Sequence, residues 1–168
     1  SGLGPVGGRA TVHAWVPADA LGLPGSTVPG HAGEIVRATL GGAAVCFVSG
    51  RVHAYEGHPL PVIVRYVRAL HAWGVPRLVL TCSAGSLRDD YPPGTVTLLS
   101  DHINLMGDSP LVGPAFGTRF PDAARAHDPT LRGDLQAAAS AAGHALPDAV
   151  YAALLGPAFE TAAEVRML

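Results

Sequence analysis

The sequence predicts an α/β protein built as a single domain over residues 1–168, and three observations predict it. Short apolar runs such as 43-AAVCFVS-49, 77-RLVLT-81 and 149-AVYAALL-155 alternate with segments of helical periodicity. Glycine (21) and proline (15) punctuate the 168 residues at the boundaries between those segments. Hydrophobic residues make up 48% and charged residues 14%, the composition of a packed core and not of a disordered chain. No internal repeat and no linker divides the chain.

The elements follow in order. The stretch 1-SGLG-4 reads as a glycine turn and 11-TVHAWV-16 as a strand. Residues 17–34 are rich in Gly and Pro and read as a loop. The runs 35-IVRATL-40 and 43-AAVCFVS-49, joined by Gly41-Gly42, form a hairpin pattern. Leu60, Ile63, Val64, Val67 and Leu70 recur at helical spacing, with Pro61 suited to a first turn and Gly74 and Pro76 as stops. This predicts one helix over Leu60–Trp73. Strands are expected at 77-RLVLT-81 and 95-TVTLLS-100, and a long loop at 106–122. Asp128 caps a second helix, with Pro129 in its first turn and Gly143 beyond its end. A strand at 149-AVYAALL-155 precedes a last helix announced by the Thr161-x-x-Glu164 capping box. The glycine turn with no strand before it, and a short last helix closed on 166-RML-168, predict a fragment trimmed at both ends.

Charge and cysteine usage exclude several classes. The net charge is −2 with His neutral, and no Lys/Arg block occurs, which argues against a nucleic-acid partner. No apolar run reaches the ~18 residues of a membrane span. Cys46 and Cys82 have no metal-pair spacing and imply no disulfide scaffold. The expectation is a cytoplasmic protein.

Five stretches carry chemistry. Glycines in 1-SGLG-4 let backbone N–H groups approach an anion, with the Ser1 hydroxyl as a further donor. His31, between glycines in 30-GHAGE-34, suits a ligand contact or plain exposure. In 51-RVHAYEG-57, Arg51 and His53 share a face of an extended segment, with Tyr55 on that face and Glu56 opposite. A forked cation beside an imidazole suits an oxyanion such as phosphate. A solvated strand end with a surface Arg–Glu pair is the other reading. The small residues of 81-TCSAGSL-87 follow a strand, where open α/β sheets place their sites; an ordinary tight turn fits too. In 156-GPAFETAAE-164, Phe159 offers a flat apolar face and Glu160 stands just before a helix start, where free N–H groups favour a carboxylate.

Taken together, 1-SGLG-4, 26-STVPGHAGE-34, 50-GRVHAYEGHPL-60, 81-TCSAGSL-87, 100-SDHINLMG-107, 119-RFPD-122, 128-DPTLR-132 and 156-GPAFETAAEVRML-168 resemble the trimeric purine nucleoside phosphorylase family along nearly the whole chain. The resemblance implies a central mixed β-sheet flanked by helices, phosphorylase/hydrolase-like. It implies that phosphate attacks C1′ of a purine nucleoside, giving the free base and ribose 1-phosphate. No metal or organic cofactor is implied; inorganic phosphate is the co-substrate. Ser1, His31, Arg51, His53 and the Ser83 backbone N–H would bind phosphate. Tyr55 would lie by the ribose and Phe159 on the base. Glu160 would accept hydrogen bonds from the purine N–H edge, which suits hypoxanthine and guanine over adenine. His53 and Glu160 are the expected catalytic residues. Phe120 would reach a neighbouring subunit's site, implying a homotrimer.

The resemblance has departures. Cys82 stands where the family usually has Asn. The segment 81-TCSAGSLRDD-90 drifts toward methylthioadenosine phosphorylase, a related enzyme that handles 6-aminopurines. The family continues past the last helix with a Met, a Ser, an Asn facing purine N7 and a His near the 5′-hydroxyl; no residue here takes those roles. A shortened homologue that binds without catalysing is the alternative from another class.

Overall fold

The computed structural model describes residues 8–27, 33–114 and 117–168. The chain forms two compact units, one running to Ala84 and one from Gly85. Both mix strands and helices, as the alternation of patterns predicts.

In the first unit, β1 (Thr11–Pro17), β2 (Glu34–Leu40) and β3 (Ala43–Ser49) make an antiparallel sheet in the order β1-β2-β3. Leu40 pairs with Ala43 across Gly41 and Gly42, whose φ values are +57° and +83°. Two successive residues at positive φ make the turn whose twist matches the strands it joins, and glycine enters that region without a Cβ penalty. A bulge between Val12 and Ala14 interrupts the β1–β2 ladder, and the His13 ring bonds Thr39 Oγ1 at 2.8 Å there. Ala18, Leu23, Ile35 and Tyr66 form the core, with Cys46 and Val48 packed on it.

The expected helix over Leu60–Trp73 arrives as two pieces, α1 (Leu60–Ile63) and α2 (Arg65–Ala72), with Val64 between them at φ −79°, ψ 0°. Val62, Ile63 and Val64 are consecutive β-branched residues, whose stiff χ1 angles crowd the preceding turn. The helix face also differs from the one expected. Leu60, Tyr66 and Leu70 are buried while Val67 is exposed. Tyr66 can be buried because its hydroxyl donates to the Pro24 carbonyl at 2.7 Å. The stop comes where it is expected: Gly74 N–H reaches the His71 carbonyl at 2.9 Å and Val75 N–H the Leu70 carbonyl at 3.0 Å, a Schellman closure.

The run 77-RLVLT-81 is not a strand. It pairs with no other strand among the described residues, and Leu80 is 76% exposed. Apolar, β-branched composition supplies only propensity, and the ladder of a neighbour makes the strand.

In the second unit, β4 (Leu98–Asn104) lies parallel to β5 (Asp148–Ala153), and α3 (Pro129–Ala141) lies between them in the chain. β4 runs later than the expected 95–100. The polar Asp101, His102 and Asn104 hide the strand from a reading by hydrophobicity, yet the backbone of 101–104 pairs with Val150–Ala153. Asp128 caps α3 by accepting from Leu131 N–H at 2.9 Å, and the helix closes on Gly143 at φ +77°. Arg132 and Gln136 on α3 both donate to Asp148 at the head of β5, at 2.7 and 3.1 Å. α4 (Ala162–Met167) starts on the Thr161/Glu164 capping box.

Candidate functional site

The segment after β3 is anchored by Val52, whose side chain is fully buried at 0% exposure. In an extended segment, one residue turned into the core sends both neighbours outward. Arg51 is accordingly exposed and His53 partly so, which is the shared face expected of them. His53 is still extended, at φ −119°, ψ 157°. The chain then turns into a 3-10 helical turn, Ala54–Glu56, and leaves it at Gly57 with φ +88°. That turn breaks the side-chain alternation. Tyr55 does lie on the His53 side, with ring centroids 4.8 Å apart and planes within 13°.

Glu56 departs from expectation. It folds back to the same side instead of facing away, because the turn replaces the extended geometry that alternation assumes. Its Oε1 accepts from the His53 backbone N–H at 2.7 Å and meets His53 Nδ1 at 2.7 Å. Its Oε2 accepts from Thr27 N–H at 2.7 Å, Thr27 Oγ1 at 2.8 Å and Ser26 Oγ at 3.1 Å. Burial pushes the carboxyl up, but donors from Thr27 and His53 outweigh it and hold Glu56 well below the usual carboxylate range. An ionised carboxylate only accepts, so Nδ1 of His53 carries the hydrogen and the ring orientation is set. Glu56 also ties this segment to residues 26–27.

Glu56 is therefore the positioning residue that the sequence reading missed. The signal was present as the spacing His53-x-x-Glu56, a capping-box pattern with histidine in the cap position. The geometry presents an imidazole of defined tautomer, an aromatic ring stacked on it, and a guanidinium two residues earlier. Such a set can hold an oxyanion beside a flat or sugar-like group.

The remaining expected residues are placed as follows. Ser1 and His31 lie outside the described residues. Ser83 and Cys82 are exposed in an irregular segment at the end of the first unit. Phe120, Phe159 and Glu160 belong to the second unit. Phe120 is 87% and Phe159 95% exposed, so both rings are open to a ligand or partner. Glu160 is half-buried just before α4. The Thr161 N–H, which would have favoured a carboxylate there, is taken by Glu164 Oε2 at 2.7 Å. Glu160 thus does not cap the helix through that group.

A model of the "Phosphorylase superfamily" matches residues 6–168. The chain is 41% identical over 172 residues to purine nucleoside phosphorylase 1 of Geobacillus stearothermophilus, covering 100% of this chain and 63% of that protein. It is 42% identical over 168 residues to the purine nucleoside phosphorylase of Mycobacterium tuberculosis, covering 92% of this chain and 60% of the other. Among solved structures, the crystal structure of Schistosoma mansoni purine nucleoside phosphorylase complexed with a novel monocyclic inhibitor superposes with a TM-score of 0.91 at 32% identity, over 99% of this chain and 65% of that one. The mixed α/β fold is thus that of part of a purine nucleoside phosphorylase, since the chain spans less than two thirds of each of these relatives. With the family model covering nearly every residue, the chain belongs to the phosphorylase superfamily.

Proposed function

We propose that the protein is a purine-nucleoside phosphorylase that cleaves inosine and guanosine with inorganic phosphate as co-substrate. The observation that carries the reading is the segment 51–56: Arg51 turned outward by buried Val52, and His53 set by Glu56 and stacked on Tyr55. In the reaction a phosphate oxygen bonds to C1′ as the C1′–N9 bond breaks, and the purine leaves with the electron pair. Arg51 and His53, with Ser1, His31 and the Ser83 N–H, align the phosphate; holding two reactants in line is a large part of such catalysis. Tyr55 borders the ribose. Phe159 covers the base, and Glu160 accepts from its N1–H and 2-amino groups, which selects 6-oxopurines. Phe120 completes the site of a neighbouring copy in a homotrimer. The chain forms part of one catalytic domain of a cytoplasmic enzyme.

The test is hypoxanthine release from inosine by the purified protein, with and without phosphate. Release is expected only with phosphate, and Glu160→Ala is expected to lower inosine turnover by roughly 10²-fold while phosphate binding persists. Turnover of methylthioadenosine in preference to inosine would overturn the role of Glu160. Phosphate binding without any cleavage would make segment 51–56 a binding site alone.

A further inference from the structure

We propose a second site, for a borderline divalent transition ion of the Zn2+ type, formed by Asp101, His102 and His127 in the second unit. The donor groups come from two places in the fold. Asp101 and His102 lie on β4, and His127 immediately precedes Asp128, the cap of α3. Their ligand atoms all lie within 4.8 Å of one another. Nδ1 of His102 and Nε2 of His127 are 3.1 Å apart, with the rings tilted by 53° and not stacked. Two nitrogens at Zn–N distances of ~2.0–2.1 Å around a tetrahedral ion stand roughly 3.3 Å apart. The pair therefore already has nearly the separation that an ion requires, and an ion would take the place of the hydrogen bond the two rings now share.

The third ligand needs explaining, because neighbours on a regular strand point to opposite faces. The β4–β5 ladder shifts register between Leu99 and Asp101, and such a bulge re-aims the side chains beside it. The Asp101 carboxylate is turned along the strand, accepting from the His102 N–H at 2.8 Å. Two imidazoles and one carboxylate match zinc-type sites that keep an open position for water. Calcium and magnesium favour oxygen-only sets. Asp101 and His102 are exposed and His127 half-buried, so an ion has direct access. Bound there, it would clamp β4 to the start of α3. None of the three residues is among those assigned to phosphate or nucleoside, so this site stands or falls separately from the phosphorylase reading.

The test is a calorimetric titration of chelator-treated protein with Zn2+, paired with the melting temperature across the same series. One Zn2+ per chain is expected, with melting temperature rising as the ion is added, as ligand linkage requires. Co2+ is expected to give visible absorption bands of a nitrogen–oxygen site, while millimolar Ca2+ or Mg2+ shifts nothing. His127→Gln and His102→Gln are each expected to weaken Zn2+ binding at least tenfold and to abolish the thermal shift. Asp101→Asn should do so more mildly, and His144→Gln should behave as the parent. His127 precedes its helix, so its variant is informative even if one on β4 fails to fold. Binding unchanged in His127→Gln, or no saturable Zn2+ binding below about 100 μM in the parent, a free energy of only ~5.5 kcal/mol, would overturn the proposal.

Discussion

Glu56 shows how one side chain decides what its neighbours can do. Its carboxylate gathers donors from His53, Thr27 and Ser26. Replacing it with Gln turns one accepting oxygen into a donor group that faces other donors. The His53 ring and the 26–27 loop should then lose their common anchor. We expect Glu56→Gln to lower kcat/KM for phosphate by roughly 10- to 100-fold, the scale of a small misplacement of a positioning group. Activity within twofold of the parent would remove Glu56 from this role. The acid response gives a second readout. The folded carboxyl titrates below its ordinary 4.5, so its contribution is complete above about that pH and declines as pH falls further. The difference in denaturation midpoint between parent and Glu56→Gln should shrink as pH drops below that value, and hold constant above it. At this scale the sequence named Arg51, His53 and Tyr55 by alternation. It misplaced Glu56, because alternation holds only while the backbone stays extended, and the turn begins at Ala54.

Among the elements, the β2–β3 hairpin was the most legible, since Gly41-Gly42 leaves few alternatives for the chain. At φ +83°, Gly42 is held where a Cβ is unfavourable. Gly42→Ala is expected to cost about 1 kcal/mol, seen as a lower midpoint in chemical denaturation. Gly41→Asn should be near neutral, because asparagine tolerates the left-handed region and Asn-Gly suits this turn. Equal losses from both would contradict the turn assignment. Capping chemistry was equally readable at Asp128, Gly143 and Thr161, each of which acts through its own nearest backbone. The errors fell on 77–81, on the bounds of the strand expected at 95–100, and on the continuity of the helix over Leu60–Trp73. Each depends on a partner or on crowding that a periodicity count does not include.

Across the whole molecule, burial is uneven. Among the described residues, the buried apolar ones, Ala18, Leu23, Ile35, Ala38, Val52, Leu60, Tyr66 and Leu70, belong to the first unit. In the second unit, Ile103 and Val150 on the parallel strand pair are exposed, although parallel strands are normally covered on both faces. Local opening is easiest where few apolar contacts must be broken. For the 168-residue chain by itself, native-state hydrogen exchange should therefore show β2 amides, around Ile35 and Ala38, protected at least tenfold more than those of β4, around Ile103. Equal protection would mean that the second sheet is covered in solution, as assembly into an oligomer would achieve.

By itself the sequence determined the α/β class, the hairpin, the helix caps and the family, because these depend on local backbone preference and on the order of short motifs. Tertiary structure decided what Glu56 holds, that 77–81 pairs with no strand among the described residues, that 101-DHIN-104 is strand, and that His102 meets His127 across 25 residues. The physical reason is common to all four. Hydrogen-bond ladders and side-chain clusters are contacts between distant segments, and their energy is absent from any window of sequence that contains only one of the partners.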